Sequence, residues 1–354
     1  MSGKLTVVIS QAQGKHPVKR GLEESLAAAL LMEPGIDLSI VPHLVDLQPG
    51  HTGRLYLEGV TGDVVVLGWL YPRAAFWLLD RIGVKGQEGT SPMHPKAEDD
   101  EDLTEEEKAE LAERPPAIGP SGAIPDRVIT CLDLRHKDKH EPYVEEIRRI
   151  LAETRARRQS KKAQQSAGKA PVLMELGLPG NGTNGNGPIK SFSAEELLQA
   201  PPGRRWYPVI DYSRCTNCLE CLDFCLFGVY GADGDGRITV ENQDNCKKGC
   251  PACSRVCPHQ AIMFPEYKTA AIAGAPVGAI GGLKIDLSKL FGGGVGGGGD
   301  AIALAAQERD RELVKDGREA VGLAAGIPKR QTDKAPAARD ELDDLVDAID
   351  KLDI

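Results

Sequence analysis

The feature that most restricts this chain is a pair of cysteine runs. The first reads Cys215-x2-Cys218-x2-Cys221-x3-Cys225, and the second Cys246-x3-Cys250-x2-Cys253-x3-Cys257-Pro258. Eight of the nine cysteines therefore fall between Cys215 and Cys257, and Cys131 alone lies elsewhere. Thiolates spaced by two residues on a tight loop turn toward one centre and can wrap a face of a cubane iron–sulfur cluster. A fourth cysteine three residues on points away along a short helix and reaches the other cluster. The spacing thus predicts interleaved ligation. Cluster I takes Cys215, Cys218, Cys221 and Cys257, and cluster II takes Cys246, Cys250, Cys253 and Cys225. Zinc is the competing metal, but its structural sites pair two CxxC knuckles across a long gap, four ligands to each ion. A triplet that recurs with a trailing fourth cysteine does not follow from zinc. A disulfide framework would need an oxidising compartment.

Residues from about Trp206 to Tyr267, under a fifth of the chain, resemble a bacterial-type ferredoxin domain carrying two [4Fe-4S] clusters. An internal repeat accompanies the motif: Val209 stands six residues before Cys215, and Val240 six before Cys246. Apolar stretches follow each fourth cysteine, at 226–230 and 261–264. The resemblance implies two pseudo-symmetric halves in a β-α-β-β-α-β order, an α+β ferredoxin-like unit. It also implies electron transfer with redox partner proteins.

Two positions depart from the family pattern. Leu226 stands where the first motif usually has proline, which shapes the backbone and binds no iron. The second run has an extra residue, with Lys247, Lys248 and Gly249 between Cys246 and Cys250. Were Cys246 lost as a ligand, cluster II would be [3Fe-4S]. Gly249 supplies backbone freedom to absorb the insertion, so four ligands are expected. On charge, Lys247, Lys248 and Arg255 near cluster II, against Glu220 and Asp223 near cluster I, predict that cluster II is the easier to reduce.

At 354 residues, and roughly 150 per domain, the chain has room for two or three domains. Leu5–Ser10, Ile36–Val41, 63–70 and 127–134 read as buried strands. Helical spacing at 22–32, 73–82 and 141–158 alternates with them, the pattern of βαβ units on a parallel sheet. Residues 1–158 are read as a small α/β domain. It is interrupted by a polar insertion at about 86–125 with an acidic run at 98–102, read as a solvated loop. The basic run at 155–162 reads as a helix end favoured by the helix dipole.

Forty glycines and 24 prolines exceed the roughly 12% expected of an average chain. They concentrate in presumed linkers at 159–204, around the GNGTNGNG run, and at 269–299. The ferredoxin-like unit occupies 205–268, and 300–354 reads as a helical tail, with Asp300 placed to cap its first helix. Between Arg339 and Ile354 the tail sets Leu342, Leu345, Ile349 and Leu352 on one helical stripe. That stripe is the candidate docking surface for a partner, or else packs on this chain.

A net charge of −9 disfavours a general nucleic-acid coat, which needs a basic surplus. No stretch reaches the eighteen or so apolar residues of a membrane span, and the reading is a soluble cytoplasmic protein. Cys131 lies near the C-terminal end of its strand and reads as a buried structural thiol. Ser10 to Gly14 could loop around an anion but match no phosphate-loop pattern. No arrangement of side chains marks a catalytic centre. The leading function is therefore iron–sulfur electron transfer. The alternatives are an electron-delivering oxidoreductase subunit whose α/β domain binds a nucleotide or small substrate, and a scaffold or assembly protein docking by its acidic tail helix.

Overall fold

The computed structural model describes residues 4–14, 16–94, 115–167, 204–275 and 299–322. Its N-terminal part is a parallel five-stranded sheet built on valine-rich runs. The strands are β1 (Leu5–Ser10), β2 (Ile36–Val41), β3 (Val64–Gly68), β4 (Gln87–Glu88) and β5 (Val128–Asp133), in the order β2-β1-β3-β5-β4. Helices α1 (Pro17–Leu31), α2 (Thr52–Gly59), α3 (Pro72–Arg81) and α4 (Glu141–Ala167) cover both faces. Pro17 and Pro72 open their helices at the first turn, where a missing N–H costs nothing.

Because side chains alternate along a strand, each central strand feeds two cores. Leu5, Val7, Ile9, Val65 and Leu67 pack on α1 and α4, together with Leu26, Tyr143 and Ile147. Val8, Val64 and Val66 face the other way, onto Leu57 of α2 and onto Ala74, Trp77 and Leu78 of α3.

The second part starts at β6 (Val209–Ile210) and continues through α5 (Glu220–Phe224), β7 (Tyr230–Ala232) and β8 (Ile238–Val240). It then runs through α6 (Ala252–Val256), β9 (Ile262–Met263) and α7 (Ala270–Ala273). From β6 to β9 the order is β-α-β-β-α-β. β6 pairs antiparallel with β9, and β7 with β8. A further helix, α8 (Gly299–Lys315), packs against α6.

The two parts share a core. Val209 of β6 and Met263 of β9 lie with Tyr207 among the α3 and α2 side chains. Their strand neighbours Ile210 and Ile262 turn to the opposite side, into the core around the cysteines. The small sheet is thus a partition with one face on each part. Arg73 donates to the Asp211 carboxylate and to Gln260 O (2.7 Å), and Tyr207 Oη donates to Val45 O (2.8 Å).

Several expectations meet a different outcome. α4 runs to Ala167 rather than ending near residue 158, so the first part of the presumed 159–204 linker is helical. Residues 269–275 are not bare linker: α7 buries Ile272 and Ala273 on the cysteine core. The described end of the polar insertion is docked, not only solvated. Ile118 N donates to Cys215 O (2.8 Å), and Gly119 N to Tyr212 O (2.9 Å). The basic run at 155–162 pairs internally, Arg157 and Arg158 with Asp63 and Lys161 with Asp126. The acidic run at 98–102, the glycine-rich linkers at 180–187 and 291–298, and the tail stripe between Arg339 and Ile354 lie outside the described residues.

Candidate iron–sulfur centre

Both cysteine runs have the same local build. α5 ends at Cys225, whose N–H donates to Cys221 O (3.1 Å), and α6 ends at Cys257, whose N–H donates to Cys253 O (3.1 Å). A helix of this length carries its fourth cysteine away from the loop that holds the first three. The loops are tight enough to need left-handed backbone at Asn217 and Leu219 (φ 59° and 60°), and at Gly249 (φ 86°) in the second run. The inserted residue of the second run is taken up by this glycine, the residue that adopts such a φ at least cost.

The thiols fall into two groups that exchange their fourth members. Cys257 lies close enough to Cys215, Cys218 and Cys221 for their charges to oppose one another. Cys225 does the same with Cys246, Cys250 and Cys253. Burial is the leading cause that pushes Cys215, Cys221, Cys246, Cys250 and Cys253 up, Cys250 to about 11, and neighbouring thiols add to it. Left to themselves such thiols stay protonated. A positively charged metal is what would draw them to thiolates.

Donors approach the sulfurs from several sides. Backbone N–H groups of Asn217, Leu222, Ala252 and Ala261 lower the pKa of Cys215, Cys221, Cys250 and Cys257 respectively, and those of Phe227 and Val229 that of Cys225. Tyr230 Oη donates to Cys253 Sγ (3.1 Å).

The first group lines a small pocket together with Thr216, Ile210 and His259. Thr216 Oγ1 is buried there without a hydrogen-bond partner. Beside the second group, Trp206 Nε1 is also buried without a bond of normal geometry, yet it faces Cys246 closely enough to lower that thiol's pKa. Four thiols and an unsatisfied buried donor at each group fit a sulfide-bearing cluster, whose sulfurs accept such hydrogens. Among the described residues, no three His, Cys, Asp or Glu side chains converge on a single ion. A cubane holds its thiolates farther apart than one ion does.

Two of the three cations expected around the second group are paired. Lys247 Nζ pairs with Asp316 (2.5 Å) and Arg255 Nε with Glu308 (2.8 Å), both acids on or beside α8. Of the cations behind the expectation that cluster II is the easier to reduce, Lys248 is left.

Cys131 sits in β5, buried in the sheet core beside α3. Burial pushes its thiol far up, so it is an inert packing residue. The loop from Ser10 to Gly14, at the carboxyl end of β1 where open α/β sheets bind ligands, is already engaged. The buried Glu23 carboxylate accepts from Ala12 N (2.6 Å) and Trp69 Nε1 (2.8 Å). Arg20 Nη2 donates to Gly14 O (3.2 Å). An internal carboxylate thus stands where an anion would.

No family model matches the chain, and no solved structure does. Among curated proteins, the chain is 42% identical over 81 residues to an uncharacterised ferredoxin of Methanocaldococcus jannaschii, covering 23% of this chain and 54% of that protein. It is also similar to the pyruvate synthase subunit PorD of two organisms. In Methanocaldococcus jannaschii the identity is 36% over 59 residues, 17% of this chain and 66% of the relative. In Thermotoga maritima it is 38% over 60 residues, 17% of this chain and 59% of the relative. The chain therefore spans between about half and two thirds of the length of these relatives. What these likenesses establish is a ferredoxin-like domain occupying about a fifth of the chain.

Proposed function

We propose that this chain is an iron–sulfur electron-transfer protein carrying two [4Fe-4S] clusters. Cys215, Cys218, Cys221 and Cys257 would hold the first, and Cys246, Cys250, Cys253 and Cys225 the second. The observation that carries the reading is the exchange of Cys225 and Cys257 between the two groups. Two independent metal knuckles would have no reason to trade their last ligands, whereas paired cubanes use that arrangement. When bound, such a cluster stores one electron with little movement of its ligands.

The chain's own residues supply the surroundings. Backbone N–H groups and Tyr230 Oη aim at the cysteine sulfurs and stabilise the added charge. Phe224, Val229, Ile238, Val256 and Phe264 exclude water around them. The clusters would also complete a core that these short strands and helices cannot fill from side chains alone.

A second reading rests on the PorD likeness. The unit would then deliver electrons within a multi-subunit oxidoreductase, with the α/β domain packed behind it as its fixed support. Anaerobic purification with iron and acid-labile sulfide counts, and EPR of the reduced protein, tests the main reading. About eight irons per chain are expected. Zinc in place of iron, or about four irons, would overturn it. An oxidoreductase subunit copurifying with the native protein would favour the second reading.

A further inference from the structure

The two cysteine groups differ in what covers them. Helix α8 and the turn after it are fastened beside three ligands of the second group. Lys247, next to Cys246, pairs with Asp316, and Arg318 Nη1 donates to Leu226 O (2.7 Å), next to Cys225. Arg255, between Cys253 and Cys257, pairs with Glu308. Ala305 is fully buried in the core shared with Cys250, Cys253 and Phe224. Arg309 is 1% exposed: its guanidinium lies 4.6 Å from the Phe224 ring centre, with Asp310 Oδ1 at 3.0 Å. Cys250 and Cys253 are only 9% and 7% exposed, whereas Cys225 and Cys246 beside them and all four thiols of the first group are partly open.

We propose that α8 is a built-in shield over the second cluster, and that electron exchange with a partner runs through the first. The inference rests on the two-cluster reading above. Its physical basis is distance. A helix with its side chains is about 10 Å across, and electron tunnelling weakens steeply over such a span. A partner approaching over α8 is therefore held off from the second cluster. A partner meeting the loop on its Asn217 and Cys218 side finds no helix of that kind among the described residues, the docked segment at Ile118 and Gly119 lying on the Cys215 side.

The shield can be tested in the full chain with both clusters assembled. Spin relaxation of each reduced cluster is measured by EPR with and without a freely diffusing dysprosium chelate, which speeds relaxation only at close approach. In the unaltered protein the second cluster should respond about tenfold less than the first, given an interposed layer about 10 Å thick. In the Glu308→Arg/Asp316→Lys variant, which sets like charges against Arg255 and Lys247, the two responses should converge. Equal responses in the unaltered protein at about eight irons per chain would overturn the shield and leave the two-cluster reading standing. An iron count near four would overturn both. Because the unaltered protein alone decides, a variant that fails to assemble does not rescue the proposal.

Discussion

Arg73, in the first turn of α3, sets its guanidinium on the Asp211 carboxylate at the end of β6, joining the sheet domain to the first cysteine loop. Asp211 is fully engaged at that point. Its carboxylate also accepts from Ser213 N (2.9 Å), and its carbonyl accepts from Cys215 N (3.0 Å). A buried acid at the end of β6 thus shapes the backbone at Cys215 while bonding to the α/β domain.

Removing one partner of this pair leaves a charge buried alone. Arg73→Met should cost about 3–5 kcal/mol in denaturant unfolding, the range for breaking a buried ion pair from one side. Arg73→Met/Asp211→Asn should recover part of that loss. A single-variant loss below about 1 kcal/mol would class the contact with exposed pairs.

Trp77 is the largest side chain where the parts meet, edge-on to Tyr212 at 5.7 Å and to Phe76 at 5.3 Å. Trp77→Ala should lower stability by about 3–5 kcal/mol. Because Trp77 shares its core with Val209 and Met263, thermal unfolding followed by far-UV CD and by cluster absorbance should shift together.

The cysteines divide by iron content. Cys246→Ala should reduce the count from about eight to about seven per chain, with a three-iron EPR signal. Cys131→Ala should leave the count unchanged and cost about 1 kcal/mol, the loss of one small buried group. Iron loss in the Cys131 variant would refute its assignment as packing.

His43 is buried, and burial, with Lys19 and Arg204 nearby, lowers its pKa to about 4. At neutral pH its contact with Glu266 (3.2 Å) is therefore a neutral Nε2–H donating to a carboxylate, not an ion pair. A histidine held neutral in the folded state contributes fully above its ordinary 6.5, and that contribution is lost as pH falls toward 4. The contribution is about 3 kcal/mol at one pKa unit per 1.36 kcal/mol. Glu266, raised mainly by burial, works in the opposite sense, so the comparison must be made against His43→Gln. That variant should flatten the stability profile between pH 6.5 and 4. An unchanged slope would show that other groups carry it.

Much of this architecture was legible in residue patterns. β1, β3 and β5 follow apolar runs that parallel sheets bury on both faces, whereas β2, expected to be buried, is an edge strand with Asp37 and Ile40 exposed. The short helices before Cys225 and Cys257 follow from the x3 spacing. α2 was not legible: it holds two glycines, and its cap is His51, whose Nδ1 accepts from Gly53 N (3.0 Å), outside the usual capping residues. The charge argument around the second cysteine group was incomplete for a related reason. The acids that neutralise Lys247 and Arg255 come from α8, far along the chain, and spacing carries no information about such partners. The joint core was hidden too, because a two-residue strand such as β6 is too short to display alternation.

That partition has a consequence for how the protein is made. The α/β domain leaves the ribosome first and presents the apolar face of α3 before any cysteine loop exists. Val209 and Met263 can seat there ahead of metal delivery, so that the loops wait on a finished platform. Iron insertion would then be the last act of assembly rather than its nucleus. A chain lacking clusters should persist in the cell with its N-terminal half intact.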